Sequence, residues 1–195
     1  MPLGVLALQG DVIEHLDALA RAGADAISVK TLAELESIDG LIVPGGESTT
    51  VMKLLTRFGL GDPIVRRVRA GMPLWGTCMG AIVAARDVAG SDQPTLDLID
   101  IGVRRNAFGR QNDSAEVNLP IPVLGPKPFP AIFIRAPWIE RVGPRVETLA
   151  ERDGHVVMAR EGNVLATSFH PELTGDDRVH AYFLAMVRGK EHSAA

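Results

Sequence analysis

Three short segments of this 195-residue chain carry groups spaced for chemistry. The first is Gly76-Thr77-Cys78-Met79-Gly80, between an apolar run and a helical pattern. Glycines two residues either side of a nucleophile permit a strand-to-helix turn so tight that the central side chain projects from the sheet's carboxyl edge. A thiol there would meet the partial positive charge of a helix N-terminus, which favours thiolate. The N–H of Met79 would face an oxyanion. On the pentapeptide alone, a nucleophile and a buried structural cysteine at a βα turn are equally good readings.

A thiol nucleophile needs a base, and the chain has five histidines. His15 and His180 lie in helical patterns, and His155 and His192 in polar stretches; all four read as surface or packing residues. His170 differs because Pro171 follows it and disfavours the helical conformation there. In an extended chain Glu172 would share its face and could fix the imidazole tautomer, as the acid of a catalytic triad does. By itself, His-Pro-Glu is more simply a turn with a solvated glutamate. Beside a cysteine elbow, the order Cys–His–Glu suits an open α/β sheet. The third segment is Pro44-Gly45-Gly46-Glu47-Ser48-Thr49-Thr50. Its two glycines would let bare N–H groups face a ligand and give a second oxyanion donor at Gly46. It lacks the endings of a phosphate or dinucleotide loop, although a plain glycine turn also fits.

These segments need a frame that brings them to one edge. Gly4 to Gln9, Ala26 to Thr31, Gly40 to Val43 and Pro73 to Thr77 read as short strands covered on both faces. Helices alternate with them. The first has Asp11 as its cap, Glu14 as box partner and Gly23 as its stop. The next is capped by Ser48 or Thr49, buries Val51, Met52, Leu55 and Phe58, and ends at Gly59. Another starts at Asp62-Pro63 and closes at Gly71, and a fourth runs from about Met79 to Val88. This alternation implies right-handed βαβ units around a parallel sheet. After Gly90 the chain turns extended over 97–105, 115–123, 131–136, 155–160 and 163–169, with a hairpin around Glu161-Gly162-Asn163. A last helix spans 176–187. The expectation is a three-layer α/β fold with a mostly parallel, flavodoxin-like sheet, helices on both faces and an antiparallel insertion in the second half. Residues 1–189 should form one domain, with 190–195 frayed.

Composition narrows the function. With 20 Lys+Arg against 24 Asp+Glu the net charge is −4, without the basic excess expected of a nucleic-acid or membrane-surface binder. One cysteine gives neither a disulfide framework nor a cysteine-rich metal site, and it suggests a reducing compartment. The opening residues have no basic region, and no run approaches the ~20 apolar residues of a membrane span. The expectation is a cytoplasmic protein.

Taken in order, Leu6-Ala7-Leu8-Gln9-Gly10, Pro44–Thr50, Gly76–Gly80, Arg105-Asn106-Ala107-Phe108-Gly109-Arg110-Gln111, Phe133-Ile134-Arg135-Ala136-Pro137 and His170-Pro171-Glu172-Leu173-Thr174 resemble the class I glutamine amidotransferases. Within that class they are most similar to the glutaminase subunits of two-component pyridoxal 5'-phosphate synthases. The two arginine-containing segments are far more specific than the elbow. The resemblance implies that Cys78, His170 and Glu172 hydrolyse L-glutamine to glutamate and ammonia. It implies oxyanion donors at Gly46 and Met79, and substrate contacts at Gly46, Glu47, Ser48, Arg105, Ile134 and Arg135. It implies no metal and no cofactor in this chain. Its implied partner, in a large hetero-oligomer, is a (β/α)8-barrel synthase subunit that makes the B6 cofactor as product. Two rivals stay open: a glutaminase serving another pathway, and a cysteine-elbow hydrolase or binding protein of similar fold.

Overall fold

The structure is a computed structural model that describes residues 2–105 and 114–189. The strands are β1 (Leu3–Leu6), β2 (Ala26–Val29), β3 (Gly40–Val43), β4 (Leu74–Thr77), β5 (Ala85–Val88), β6 (Ile99–Arg104), β7 (Ser114–Leu119), β8 (Phe129–Ile134), β9 (Trp138–Val142), β10 (Glu147–Arg152), β11 (His155–Glu161) and β12 (Val164–Thr167). The helices are α1 (Val12–Arg21), α2 (Leu32–Glu36), α3 (Ser48–Arg57), α4 (Gly61–Arg69), α5 (Met79–Ala84) and α6 (Arg178–Val187), with 3-10 turns at Pro122–Leu124 and Pro171–Leu173.

Ten strands form one sheet in the order β2-β1-β3-β4-β12-β11-β9-β6-β5, with β10 pairing β11 beside this path. The first five are mutually parallel, the flavodoxin-like 2-1-3-4-5 arrangement. From β11 onward the pairings turn antiparallel through β9 and β6. The strands β7 and β8 form a separate antiparallel pair.

Alternation along the central strands explains why both faces are covered. Leu41, Val43, Leu74, Val164 and Ala166 point to one face, where they pack with Leu55 of α3, Ile64 of α4 and Ile82 of α5. Ile42, Trp75 and Leu165 point to the other, against Leu19 of α1, Phe183 of α6 and Phe129 of β8. A residue-by-residue switch of face is what a pleated strand imposes, and a sheet sandwiched this way has continuous apolar strands. Each fully buried Leu, Ile, Val or Phe side chain contributes roughly 1.5–3 kcal/mol.

Several elements differ from the sequence expectation. The helix after Cys78 stops at Ala84, because Ala85–Val88 leaves it to pair with β6. α4 starts at Gly61 with Leu60 as its cap, two residues before the Asp62-Pro63 start expected. α2 is a helix that periodicity over five residues cannot reveal, although the Thr31/Glu34 capping box that starts it is written in the chain. Phe58, expected inward, is 55% exposed because α3 has ended at Arg57. β9 and β10 were not expected as strands.

Candidate active site

The parallel order brings the loops after β1, β3, β4 and β12 to one carboxyl edge, where open α/β sheets bind ligands. Cys78 follows β4 with φ +49° and ψ −106°, a left-handed conformation unusual for a residue with a side chain. It is held there from both sides. Its N–H donates to the Thr167 carbonyl at 2.7 Å, and α5 leaves directly beneath it. A Cβ on Gly76 would meet the Gly80 carbonyl at 2.3 Å, so the turn closes only with glycine there. The elbow inferred from the pentapeptide is therefore present.

His170 follows β12, and its N–H donates to the Ile132 carbonyl of β8 at 2.7 Å. Its Nδ1 lies 2.7 Å from Oε1 of Glu172. The reach differs from the extended chain expected: Pro171–Leu173 is one 3-10 turn, which swings the carboxylate back under the ring. Asp11 adds a second acid, its Oδ2 being 3.5 Å from the same nitrogen. This corrects Asp11 as a helix cap, since its side chain makes no cap hydrogen bond and lies toward His170 instead. Burial opposes a charge on His170, but bonds to Asp11, Cys78 and Glu172 outweigh it and push its pKa up to about 12. Burial raises the Glu172 carboxyl, opposed by its bond and charge interaction with His170.

The loop after β3 presses against both. A Cβ on Gly45 would sit 2.6 Å from the His170 ring and 2.8 Å from Asp11, so glycine gives the imidazole its place. The Glu47 N–H donates to the Gln9 side-chain oxygen at 2.7 Å, tying the β1 loop to the β3 loop.

A cavity of about 240 Å³ opens onto these groups. It is smaller than the ~300–1,000 Å³ of drug-sized sites, which suits a small metabolite. Every residue anticipated from sequence lines it except Glu172, which stands behind His170. Arg135 at its wall has φ +42°. At the far end Arg105 pairs with Glu47 at 2.8 Å. Burial works against ionisation of Glu47, yet Arg105 and Thr49 leave its carboxyl below the ordinary value. A fixed cation beside a fixed anion matches a zwitterionic ligand. Residues 106–111 of the Arg105 segment lie outside the described residues.

Gln93 was missed. Its Oε1 accepts from Ser48 Oγ at 3.1 Å and from Arg105 Nη1 at 3.0 Å, fixing both groups. No local pattern marks it, because its partners are 45 residues back and 12 residues on. Among the other histidines, His155 stacks on Trp138 at 3.8 Å. His15 and His180 are fully buried, which excludes a surface place for either, and His192 lies outside the described residues. Asp11, His170 and Glu172 offer three atoms within 4.8 Å of one another. A metal there would have to displace the 2.7 Å bond between His170 and Glu172.

A model of the SNO glutamine amidotransferase family matches residues 5–189. This chain belongs to that family. Among its relatives, the pyridoxal 5'-phosphate synthase subunit PdxT of Moorella thermoacetica is 53% identical over 96% of this chain and 100% of its own length. The protein of the same name from Streptomyces avermitilis is 56% identical over 95% of this chain and 94% of its own. A crystal structure described as a glutamine amidotransferase superposes with a TM-score of 0.91 at 47% identity, covering 96% of this chain and 100% of the other. At 16% identity, a structure described as PurLQS from Thermotoga maritima shares the fold, with a TM-score of 0.66 over 97% of this chain and 99% of the other. No helix among the described residues is long and apolar enough to cross a membrane.

Proposed function

We propose that this chain, as one domain over residues 1–189, hydrolyses L-glutamine in the cytoplasm and passes the ammonia to a (β/α)8-barrel synthase subunit that builds pyridoxal 5'-phosphate. The observation that carries the proposal is the line from Cys78 through His170 to buried Glu172, aimed into a small cavity. The names of its relatives agree with this reading.

The α-amino and α-carboxylate groups of glutamine bind at Glu47, Ser48 and Arg105 and along the backbone of Ile134 and Arg135. A guanidinium holds a carboxylate through charge-assisted bonds. Cys78 thiolate attacks the side-chain amide carbon, and the Gly46 and Met79 N–H groups stabilise the oxyanion. His170, charged at neutral pH, gives its proton to the departing nitrogen as the C–N bond breaks, leaving ammonia and a thioester. Neutral His170 then takes a proton from water, hydroxide attacks the thioester carbon, and glutamate leaves as the thiolate returns. Glutamine and water have become glutamate and ammonia.

Gln93 orients Arg105 and Ser48 in this scheme. Gln93→Leu should raise KM for glutamine about tenfold, a hydrogen bond to a charged group being worth about 1.5 kcal/mol, while kcat changes little. An unchanged KM would remove Gln93 from substrate binding.

Ammonia set free in water at neutral pH becomes ammonium, which has no lone pair for attack, so turnover is useful only in the complex. The Gln9 side chain, seated on Gly46 and bonded to the Glu47 N–H, links the oxyanion loop to the surface a partner would touch. Exposed Ile13 follows that loop, and exposed Leu173 lies at the cavity. Docking there completes the hole. Ammonia release measured with the barrel synthase should exceed that of the free chain by about 10²-fold or more, the value of one oxyanion donor. Equal rates would refute activation by docking, and absence of turnover in the complex would refute the function.

A further inference from the structure

Behind the triad lies a second set of groups that the mechanism above does not use. The Glu172 side chain is wholly buried, and only its Oε1 is bonded to His170. Its Oε2 has no partner at bonding distance. Facing it at 3.5 Å is Nε2 of His15, an equally buried ring on α1. The same nitrogen is 3.2 Å from Oγ1 of Thr77, the residue before the nucleophile. The other nitrogen of His15, Nδ1, is 3.0 Å from Nε2 of His180 on α6. Trp75, itself fully buried, packs edge-on against both rings, with centroids at 5.5 and 4.9 Å.

The tautomers follow from what is left over. Nδ1 of His180 is buried without a partner. A buried orphan N–H is rarer and costlier than an under-used acceptor, so that nitrogen carries the lone pair. Nε2 of His180 therefore donates to Nδ1 of His15, and Nε2–H of His15 points at Thr77 and Glu172. The reverse assignment would set a bare lone pair of His15 against a carboxylate oxygen. Both rings are neutral. Burial takes His15 well below its ordinary value, and the neighbouring His180 and His170 add to the same direction. Burial likewise takes His180 down to about 4, with Asp177 opposing and Arg21 assisting.

We propose that His15, set in its tautomer by His180, is a positioning residue that holds the second oxygen of Glu172 and thereby keeps Glu172 ionised and aligned under His170. This deepens the glutaminase reading and rests on it. The contact stands at 3.5 Å, and catalytic hydrogen bonds of this length tighten on going to the reacting complex. A neutral donor suits the place because a second cation would compete with His170 for the same carboxylate. The titratable groups that face Glu172 are Asp11 and His15 from the α1 segment and His170 from its own turn. Asp177 and Arg21 act on His180.

The test uses the full chain with the barrel synthase and L-glutamine. His15→Leu should lower kcat about tenfold, the scale of a hydrogen bond lost from a buried charge, with KM within about twofold. The acid limb of its kcat profile should move to higher pH, because Glu172 without the donor protonates more readily. His15→Gln, whose amide N–H falls near the place of Nε2, should recover most of kcat and return the limb. Wild-type kcat and profile in folded His15→Leu would overturn the proposal. So would equal losses in both variants that track their melting temperatures. If His15→Leu does not fold, nitrogen NMR of the wild-type histidines decides: Nε2–H neutral His15 at pH 7 is expected, and an Nδ1–H or charged ring overturns it. Failure of the glutaminase reading would show separately, as wild-type complex no more active than Cys78→Ala.

Discussion

Cys78→Ala is expected to remove glutamine turnover by a factor on the order of 10⁶, the scale seen when the nucleophile of a triad enzyme is deleted. The chain has one cysteine, so no second thiol can take its place. The remaining acids at the site do not qualify as substitutes. Glu172 is buried behind the imidazole, and Asp11 is engaged with the same ring. What survives is binding and the oxyanion donors, worth ~10³–10⁴ over water in such deletions. The fold should be untouched, since alanine keeps the Cβ and loses one sulfur at a site 8% exposed; melting within about 2 °C of wild type is the check.

The same variant has a second readout with a definite sign. Burial lowers the His170 pKa, but its bonds to Asp11, Cys78 and Glu172 outweigh that and raise it to about 12. Deleting the thiol removes one of the raising partners. The His170 ring should then titrate at lower pH in Cys78→Ala than in wild type, as followed by histidine NMR. A thiol-directed glutamine analogue should add one label per chain to wild type and none to the variant. Turnover above background in Cys78→Ala, or label elsewhere, would end the thioester mechanism.

The parts of this site that could be read from sequence are those whose constraint is local. Gly76 precedes Cys78 because the elbow brings its backbone against that of Gly80 within five residues. His170 and Glu172 sit in one turn set by Pro171. Four of the five parallel strands are apolar runs bounded by turn residues, and their parallel pairing follows from βαβ connection rules. What was not legible depends on partners far along the chain. Asp11 has the composition of a helix cap, and only the packing of the β1 loop on the β12 turn makes it a partner of His170. Gln93 has no role until Ser48 and Arg105 converge on it. His15 and His180 stand 165 residues apart and read as packing histidines until α1 and α6 meet across Trp75. The end of α5 was misplaced for a related reason. Ala81 to Val88 is apolar enough for helix or strand, and pairing with β6 decides.

Gly80→Ala is expected to cost the fold several kcal/mol, because the methyl meets backbone and has no side chain to push aside. A Cβ at Gly80 would lie 1.9 Å from the Val43 carbonyl oxygen and 2.8 Å from its carbon, both of them backbone of β3. β3 is pinned between β1 and β4, so α5 must move away. That movement opens the core contacts of Ala81, Ile82 and Val83, all of them buried. A loss of about 3–5 kcal/mol follows from overpacking joined to lost burial, which a denaturant midpoint will show. Gly175 is the control: it has no atom within 4 Å of a built Cβ and no left-handed φ, so Gly175→Ala should stay within about 0.5 kcal/mol of wild type. Whatever fraction of Gly80→Ala folds should also react poorly with a thiol-directed glutamine analogue. The Met79 N–H and the Cys78 thiol both ride on the turn that the methyl displaces, and a shift of about 1 Å in such groups can cost ~10²-fold in rate. If Gly80→Ala matched Gly175→Ala in both stability and labelling, the tight contact between α5 and β3 could not be what holds Cys78 in its left-handed conformation.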